Sequence, residues 1–230
     1  MYIIIRRSYM TRNVLKKTPP EAESGRRERK HQRTKDLLAA TAFRLFEAHG
    51  YEAVTMEQVA TEADVAKGTL YKYYPVKEAL LAHQFRQEIA AGATALQSEI
   101  ARQPTFAARM SLLLHASAEW NKSRRAYLPH YLRFRLIDID FGMRGPAPEE
   151  LRSGSYAILE ALFRAGQEEG AVRGDLPPGQ LAWMFEFMCM GAVMVWLSQP
   201  KGGLKPKFEF ALEVLLHGVA VPENKAKGRK

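Results

Sequence analysis

The chain has 230 residues, a formal net charge of +9 and an isoelectric point of about 9.6. Its length suits one large domain or two small ones and allows a buried core. The single cysteine, Cys189, excludes an internal disulfide framework, and its apolar neighbours favour a core role. The sequence contains no metal-ligand spacing, nucleophile–base pair or phosphate-binding loop, so we predict neither an enzyme nor a cofactor or metal site.

The positive charge lies mainly at the N-terminus. Residues 1–35 contain 11 Lys or Arg and 3 Glu, a net charge of +8 (11 − 3), which leaves +1 (9 − 8) for the rest of the chain. This distribution favours a basic arm that is attracted to phosphates, and a solubilising tail is the alternative. We expect residues 1–29 to form this arm and to be disordered.

The apolar segments predict a cytoplasmic protein that does not enter a membrane. The apolar run at residues 2–5 is shorter than the roughly 7–15 residues of a signal-peptide core. The most apolar helical segment, residues 181–197, is shorter than the roughly 20 residues that span a bilayer, and it contains Glu186.

The hydrophobic pattern predicts an all-α chain, because strand-type alternation is absent over any useful length. A first helix is predicted over residues 30–49, and Gly50 ends it. Its apolar stripe consists of two adjacent rows at i, i+4 spacing: Leu37, Thr41 and Leu45, and Leu38, Ala42 and Phe46.

Capping and turn signals predict the helices that follow. A short second helix begins after Thr55, which forms a capping box with Gln58, and it stops near Ala63. A third helix over residues 67–73 ends before Pro75. Longer helices, separated by Gly and Pro, are predicted over residues 77–103, 105–123, 127–138, 149–169, 179–198 and 207–217.

The third helix combines an apolar edge with an unusual opposite face. At about 100° per residue, Leu70 and Tyr74 face the core, whereas Gly68 points away from it. A glycine inside a helix costs about 1 kcal/mol relative to alanine, and it lets the backbone approach a phosphate or a base edge. The same face and its margins carry Lys67, Thr69, Tyr71, Lys72 and Tyr73. These side chains suit a recognition helix in the major groove of DNA. The alternatives are a solvated face for each lysine alone and, for Gly68, a tolerated exposed residue at the N-terminus of the helix.

The motif TxxQVAxxAxVxxGTLYxYYxxKExL, from Thr55 to Leu80, resembles the N-terminal signature of the TetR family of repressors. Leu45-Phe46 and Gly50-Tyr51 are similar to the family's first helix, so the resemblance covers roughly residues 33–82. It implies an all-helical homodimer that binds a palindromic operator on double-stranded DNA. It also implies that a small molecule in the larger C-terminal domain releases the protein from DNA.

The resemblance further implies which residues lie at the DNA. They are Thr55, Lys67, Gly68, Thr69, Tyr71, Lys72 and Tyr73, together with Lys77, which would contact a phosphate from the start of the fourth helix. The chain departs from the family where Asp64-Val65-Ala66 replaces the frequent Gly-Val-Ser. Ala66 cannot cap the recognition helix as serine would, a loss of about 1 kcal/mol, and we expect Asp64 to cap it instead.

Large, adaptable side chains in the C-terminal half could line an apolar ligand pocket, and core packing is the alternative for each. They are Trp120, Tyr127, Tyr131, Phe134, Trp183, Phe187, Met190 and Met194. Arg124, His130 and Glu186 are the polar candidates for orienting a ligand. A buried carboxylate at Glu186 needs a partner, for which we favour an arginine of either subunit over a cationic ligand.

These features predict four segments: a basic arm at 1–29, a helix-turn-helix DNA-binding domain at 30–77, a helical regulatory and dimerisation domain at 78–221, and a basic tail at 222–230. The helices at 179–198 and 207–217 are expected to form the dimer interface, as in the family. We therefore predict a dimeric repressor that a small, mostly apolar effector releases from its operator. The alternative is a helical DNA-binding protein without an inducer, of architectural or constitutive type.

Overall fold

A computed structural model describes residues 21–137 and 154–217, and this part of the chain is all-α, as predicted, with nine helices and no strand. The helices are α1 Glu21–His49, α2 Met56–Glu62, α3 Lys67–Tyr73, α4 Lys77–Ala101, α5 Phe106–Ser123, α6 Leu128–Ile137, α7 Tyr156–Glu168, α8 Pro178–Ser198 and α9 Lys205–His217. The predictions for residues 1–20 and 222–230, and for a helix start at residue 149, lie outside the described residues.

Local signals determine the boundary between α1 and α2. Gly50 has a φ of +85°, which glycine adopts without strain, and its amide donates a hydrogen bond to the carbonyl of Phe46 at 2.9 Å. The predicted capping box of α2 is confirmed. The Gln58 amide donates to Thr55 Oγ1 at 3.2 Å, and the Thr55 amide donates to Gln58 Oε1 at 2.8 Å.

The turn between α2 and α3 differs from the prediction. Asp64 has a φ of +52°, in the left-handed region that Asp tolerates better than most residues, and its amide donates to the carbonyl of Thr61 at 3.1 Å. No side-chain hydrogen bond caps α3 at Ala66. The prediction that Asp64 caps this helix is therefore wrong, and α3 lacks a cap worth about 1 kcal/mol.

α1 is longer and its buried face narrower than predicted. It begins at Glu21, so residues 21–29, which we expected in a disordered arm, are helical. Their Arg, Glu and Ala are good helix formers, but they lack the apolar period that reveals a core-facing helix. Further along α1, Leu38 and Phe46 are buried, whereas Leu37 is 53% exposed and does not join the core as we predicted.

The six remaining helices form the larger C-terminal domain. α4 packs against α1 as well as against α5 and α6, so it joins the N-terminal three-helix domain to the rest. α7 packs on α8, and α8 packs on α9. The largest buried side chains of this domain include Phe85, Phe163, Phe185 and Phe208.

Close approach, rather than an unusual φ, explains the glycine within α7. A Cβ atom at Gly166 would lie 2.6 Å from Cδ2 of Phe106 and 2.8 Å from Cγ2 of Val172. Both distances are shorter than ordinary carbon contacts, so any larger residue would force the neighbouring helix and loop apart.

α8 is apolar on nearly all sides. By length and composition alone it could cross a membrane, although core helices of soluble proteins share these properties. It leaves Trp183 and Val195 each 52% exposed, and the adjacent α9 leaves Phe210 69% exposed. Large exposed apolar side chains on two neighbouring helices indicate an interaction surface.

Candidate nucleic-acid interface and apolar cavity

α3 is anchored on one side and open on the other. Leu70 and Tyr74 are buried as predicted, and the Tyr74 hydroxyl donates to the carbonyl of Lys35 on α1 at 3.3 Å. On the opposite side Gly68 and Lys72 are exposed. A Cβ atom at Gly68 would meet no described atom within 4 Å, so protein packing gives no reason for a glycine here.

Lys67 and Tyr71 lie together at the exposed margin of α3. The Lys67 ammonium forms an ion pair with Glu57 of α2 and lies 5.8 Å from the centre of the Tyr71 ring. The hydrogen bond with Lys67 lowers the pKa of the Glu57 carboxyl, and the same bond raises the pKa of Lys67. Because both partners are well exposed, a phosphate could replace the Glu57 carboxylate.

The other predicted contacts, at the N-cap of α2 and on α3, are already engaged within the protein or half-buried. The Thr55 hydroxyl accepts the capping hydrogen bond of α2, and Thr69 is half-buried. Tyr73 is also half-buried, with its ring centre 4.8 Å from that of His31 on α1. This contact places the basic start of α1 beside the recognition helix, where the exposed cations are Arg26, Arg27, Arg29, Lys30 and Arg33.

Lys77, which we predicted to contact a phosphate, is engaged within the protein. Its ammonium donates to the carbonyls of Tyr51 at 2.9 Å and Val54 at 3.4 Å, and it lies 4.3 Å from the centre of the Tyr51 ring. A carboxylate oxygen of Glu52 lies 3.7 Å from the same nitrogen. An ammonium has three donors, and those of Lys77 join the start of α4 to the α1–α2 loop.

The C-terminal domain contains a partly open apolar cavity of about 190 Å³. Four of the predicted ligand contacts line it: Trp120, Tyr131, Glu186 and Met190. The wall also contains Ile89, Gly92, Ala93 and Leu96 of α4, Leu113, Leu114, Ala116, Ser117 and Asn121 of α5, and Ile158 and Leu159 of α7. Sequence reasoning missed the α4 wall, although the run of small residues at 90–95 was a signal that could have predicted space there.

The remaining predicted ligand contacts do not line this cavity: Arg124, Tyr127, His130, Phe134, Trp183 and Phe187. The exposed Trp183 ring lies tilted against Phe187 of the same helix, with ring centres 4.7 Å apart. His130 stacks on Tyr51 of the α1–α2 loop, with ring centres 4.0 Å apart. These three side chains therefore lie at a surface or a domain contact and not in the wall of this cavity.

The two carboxylates of the cavity wall are paired. Glu186 lies 3.5 Å from Arg135 of α6, which confirms that an arginine is its partner. Glu88 accepts hydrogen bonds from Trp120 Nε1 at 3.0 Å and from Arg124, outside the wall, at 2.9 Å. Burial raises the pKa of the Tyr131 hydroxyl. Burial and then Glu186 raise the pKa of Cys189 to about 12, so the thiol stays protonated and adds an apolar surface.

Comparison with known protein sequences agrees with this architecture. Residues 38–83 match the tetR family of bacterial regulatory proteins. Over 204 residues the chain is 25% identical to MftR of Mycobacterium tuberculosis, a proposed mycofactocin biosynthesis transcriptional regulator, covering 87% of this chain and 97% of MftR. Over 68 residues it is 46% identical to the HTH-type transcriptional repressor KstR of Mycolicibacterium smegmatis, covering 30% of this chain and 32% of KstR.

Solved structures with a similar fold cover most of the chain. FadR of Thermus thermophilus, a TetR-family repressor in complex with lauroyl-CoA, matches with a TM-score of 0.68 and 22% identity, covering 85% of this chain and 100% of FadR. FadR of Bacillus subtilis, in complex with stearoyl-CoA, matches with a TM-score of 0.54 and 20% identity, covering 80% of this chain and 98% of that one. At these identities the likeness concerns the fold.

Proposed function

We propose that this chain, which belongs to the TetR family of bacterial regulatory proteins, represses transcription by binding a palindromic operator as a homodimer and leaves it when a mostly apolar effector occupies the cavity. The observation that carries the proposal is the open face of α3. Leu70 and Tyr74 hold the helix on α1, while Gly68 exposes the backbone beside Lys67 and Lys72. This arrangement suits insertion into the major groove.

The exposed apolar surface of α8 and α9 supports dimerisation. Trp183, Val195 and Phe210 would be costly to leave in water, and a second copy would cover them. A symmetric dimer also presents two recognition helices, whose spacing has to match major grooves about 34–36 Å apart, or a multiple of that distance. Dimerisation through these helices therefore accounts for both an otherwise exposed surface and a palindromic target.

DNase footprinting on the region upstream of the protein's own gene, followed by binding titrations, tests the DNA interface. Affinity is expected to fall steeply with salt because lysine and arginine release counterions from the phosphates. Lys67→Ala should weaken binding without lowering the thermal stability. Lys122→Ala is the matched control, since Lys122 is also an exposed lysine paired with a glutamate, but on α5. Equal affinities for the two variants, or no protected palindrome, would contradict the proposal.

The volume of the cavity limits the size of the effector group that it can accept. At about 190 Å³ it exceeds the ~150 Å³ apolar cavity that accepts benzene, but it is smaller than the ~300–1,000 Å³ of typical ligand pockets. We therefore infer that the effector presents a compact apolar group and that a long chain would have to widen the cavity. The lauroyl-CoA and stearoyl-CoA complexes of the two FadR proteins support acyl-CoA thioesters as the first compounds to test.

A series of acyl-CoA thioesters of increasing chain length, with free CoA as the control, tests this step by thermal shift and operator titration. A compound that raises the melting temperature and lowers operator affinity supports the repressor with an effector. If free CoA and every thioester bind equally well, the inference that the cavity recognises an apolar group is wrong. If no compound in this series or in a broad library both raises the melting temperature and lowers operator affinity, the alternative of a constitutive DNA-binding protein is favoured.

A further inference from the structure

Arg124, at the C-terminal end of α5, connects the cavity to the DNA-binding domain. Its Nε and Nη2 atoms donate to the two carboxylate oxygens of Glu88 on α4 at 2.9 and 3.1 Å. Its Nη1 atom lies 3.3 Å from a carboxylate oxygen of Glu47 in the last turns of α1. One guanidinium thus bridges two helices that belong to different domains, in the forked geometry that only arginine offers.

The bridge formed by Glu88, Arg124 and Glu47 ends, on one side, in the wall of the cavity. Glu88 and Trp120 both line the cavity, and Trp120 Nε1 donates to the Glu88 oxygen that also binds Arg124 Nε. The side chains of Arg124 and Glu88 are 26% and 17% exposed, so the pair is only partly screened by water. A ligand that displaces Trp120 must therefore change a hydrogen bond shared with Arg124.

On the DNA-binding side, the bridge ends in the packed core of α1. The Arg124 guanidinium lies 4.8 Å from the centre of the Phe43 ring. Phe43 is buried and packs on Tyr127 at 5.3 Å and on Phe85 at 6.0 Å. Because α1 also carries the contacts that anchor α3, a shift of its C-terminal end changes the position of the recognition helix.

We propose that Arg124 is the positioning residue through which the occupancy of the cavity sets the orientation of the DNA-binding domain, an inference that rests on the proposed function. Glu88 and Glu47 share its single positive charge. When a ligand in the cavity weakens the contact between Arg124 and Glu88, the guanidinium can move with Glu47. α1 then shifts relative to α4. The bridge is a chain of direct contacts between two packed elements, the physical requirement for coupling between sites.

A double-mutant cycle on operator binding tests the coupling without a ligand. The DNA is a duplex that the wild-type protein selects from a random-sequence library, and Kd is measured by fluorescence anisotropy. Trp120→Phe removes the indole donor to Glu88 and should change Kd about fivefold or more. In an Arg124→Met background the same change should shift Kd by less than about twofold, the limit of ordinary additivity. In an Arg125→Met background the full shift should persist.

Arg125 is the matched control because it is the adjacent arginine, is exposed, and stacks on Trp196 of α8 at 5.0 Å. Glu47→Ala removes the carboxylate to which Arg124 Nη1 donates, at a side chain that is 52% exposed. It should abolish the shift in the same way, and it is the second variant if Arg124→Met fails to fold. An unchanged Kd in Trp120→Phe, or equal shifts in the Arg124→Met and Arg125→Met backgrounds, would overturn the inference. If the wild type selects no duplex, the proposed function fails instead.

Discussion

Replacing Gly68 by alanine tests whether this glycine is required for DNA binding or for folding. A Cβ atom at Gly68 would meet no described atom within 4 Å, so the substitution creates no clash in the free protein. Alanine is favoured over glycine inside a helix by about 1 kcal/mol, and by less near an end. Gly68 is the second residue of α3, so we expect Gly68→Ala to leave the free energy of unfolding unchanged or to raise it by up to about 1 kcal/mol.

The effect on DNA should have the opposite sign. If the backbone of Gly68 lies against a phosphate or a base edge, the added methyl group occupies the space that the nucleic acid needs. We expect operator affinity to fall at least about tenfold, which corresponds to about 1.4 kcal/mol. A gain in stability together with a loss of binding would show that the site is shaped by its partner and not by the fold.

Urea unfolding at one protein concentration and anisotropy titration with the operator duplex measure the two effects. Ser98→Ala is the matched control, because Ser98 is exposed on α4 and its replacement also raises helix propensity. This control should gain slightly in stability and keep its operator affinity. Gly68→Ala binding DNA as tightly as the wild type, or unfolding more easily than it, would refute the reasoning.

Three further substitutions test other parts of the structure. Ala66→Ser should supply the missing cap of α3 and raise the free energy of unfolding by about 1 kcal/mol in urea titrations. Gly166→Ala should lower the melting temperature despite its better helix propensity, because its Cβ would lie 2.6 Å from the Phe106 ring. Burial lowers the pKa of His83, so the unfolded chain takes up a proton first as the pH falls below about 6.5. Unfolding free energy should therefore decrease from that pH down to the lowered pKa of the folded protein, and the decrease should be smaller in His83→Gln.

The contact of His83 with Arg86 supports the direction of that pH dependence, and burial outweighs the hydrogen bond with Asp36, which raises the pKa. Arg86 can only donate, so its contact of 2.9 Å requires an unprotonated Nδ1 atom. The Nε2 atom lies 2.9 Å from Asp36 Oδ1, to which it donates as the neutral tautomer. The buried ring is therefore held neutral between α1 and α4.

The DNA-binding domain was largely predictable because its signals are local. The bounds of α3 follow from a turn and from Pro75, and the start of α2 follows from a capping box within four residues. Glycine and lysine on the face opposite Leu70 were visible from helical spacing alone. The start of α1 was not predictable, because residues 21–29 carry charge without an apolar period.

The cavity was predictable only in part because its contacts are distant in sequence. Trp120, Tyr131 and Met190 follow from large side chains at helical spacing, but α8 is apolar on nearly all sides, so its pattern could not separate the cavity face from the exposed Trp183. Arg124 was expected to orient a ligand. Its actual partners, Glu88 and Glu47, lie 36 and 77 residues away, and no periodicity reveals such pairs.

Because α1 is long, a small tilt at one end displaces the other end by several ångströms. Its 29 residues, at a rise of about 1.5 Å each, make a rod of about 43 Å, with Glu47 near one end and the exposed Arg26 and Arg27 near the other. If α1 tilts by only about 5° about its Glu47 end, its N-terminal end moves by about 4 Å. A displacement too small to reshape the cavity can therefore carry the outermost cations out of reach of a phosphate, and we expect the outer flank of the operator to respond first.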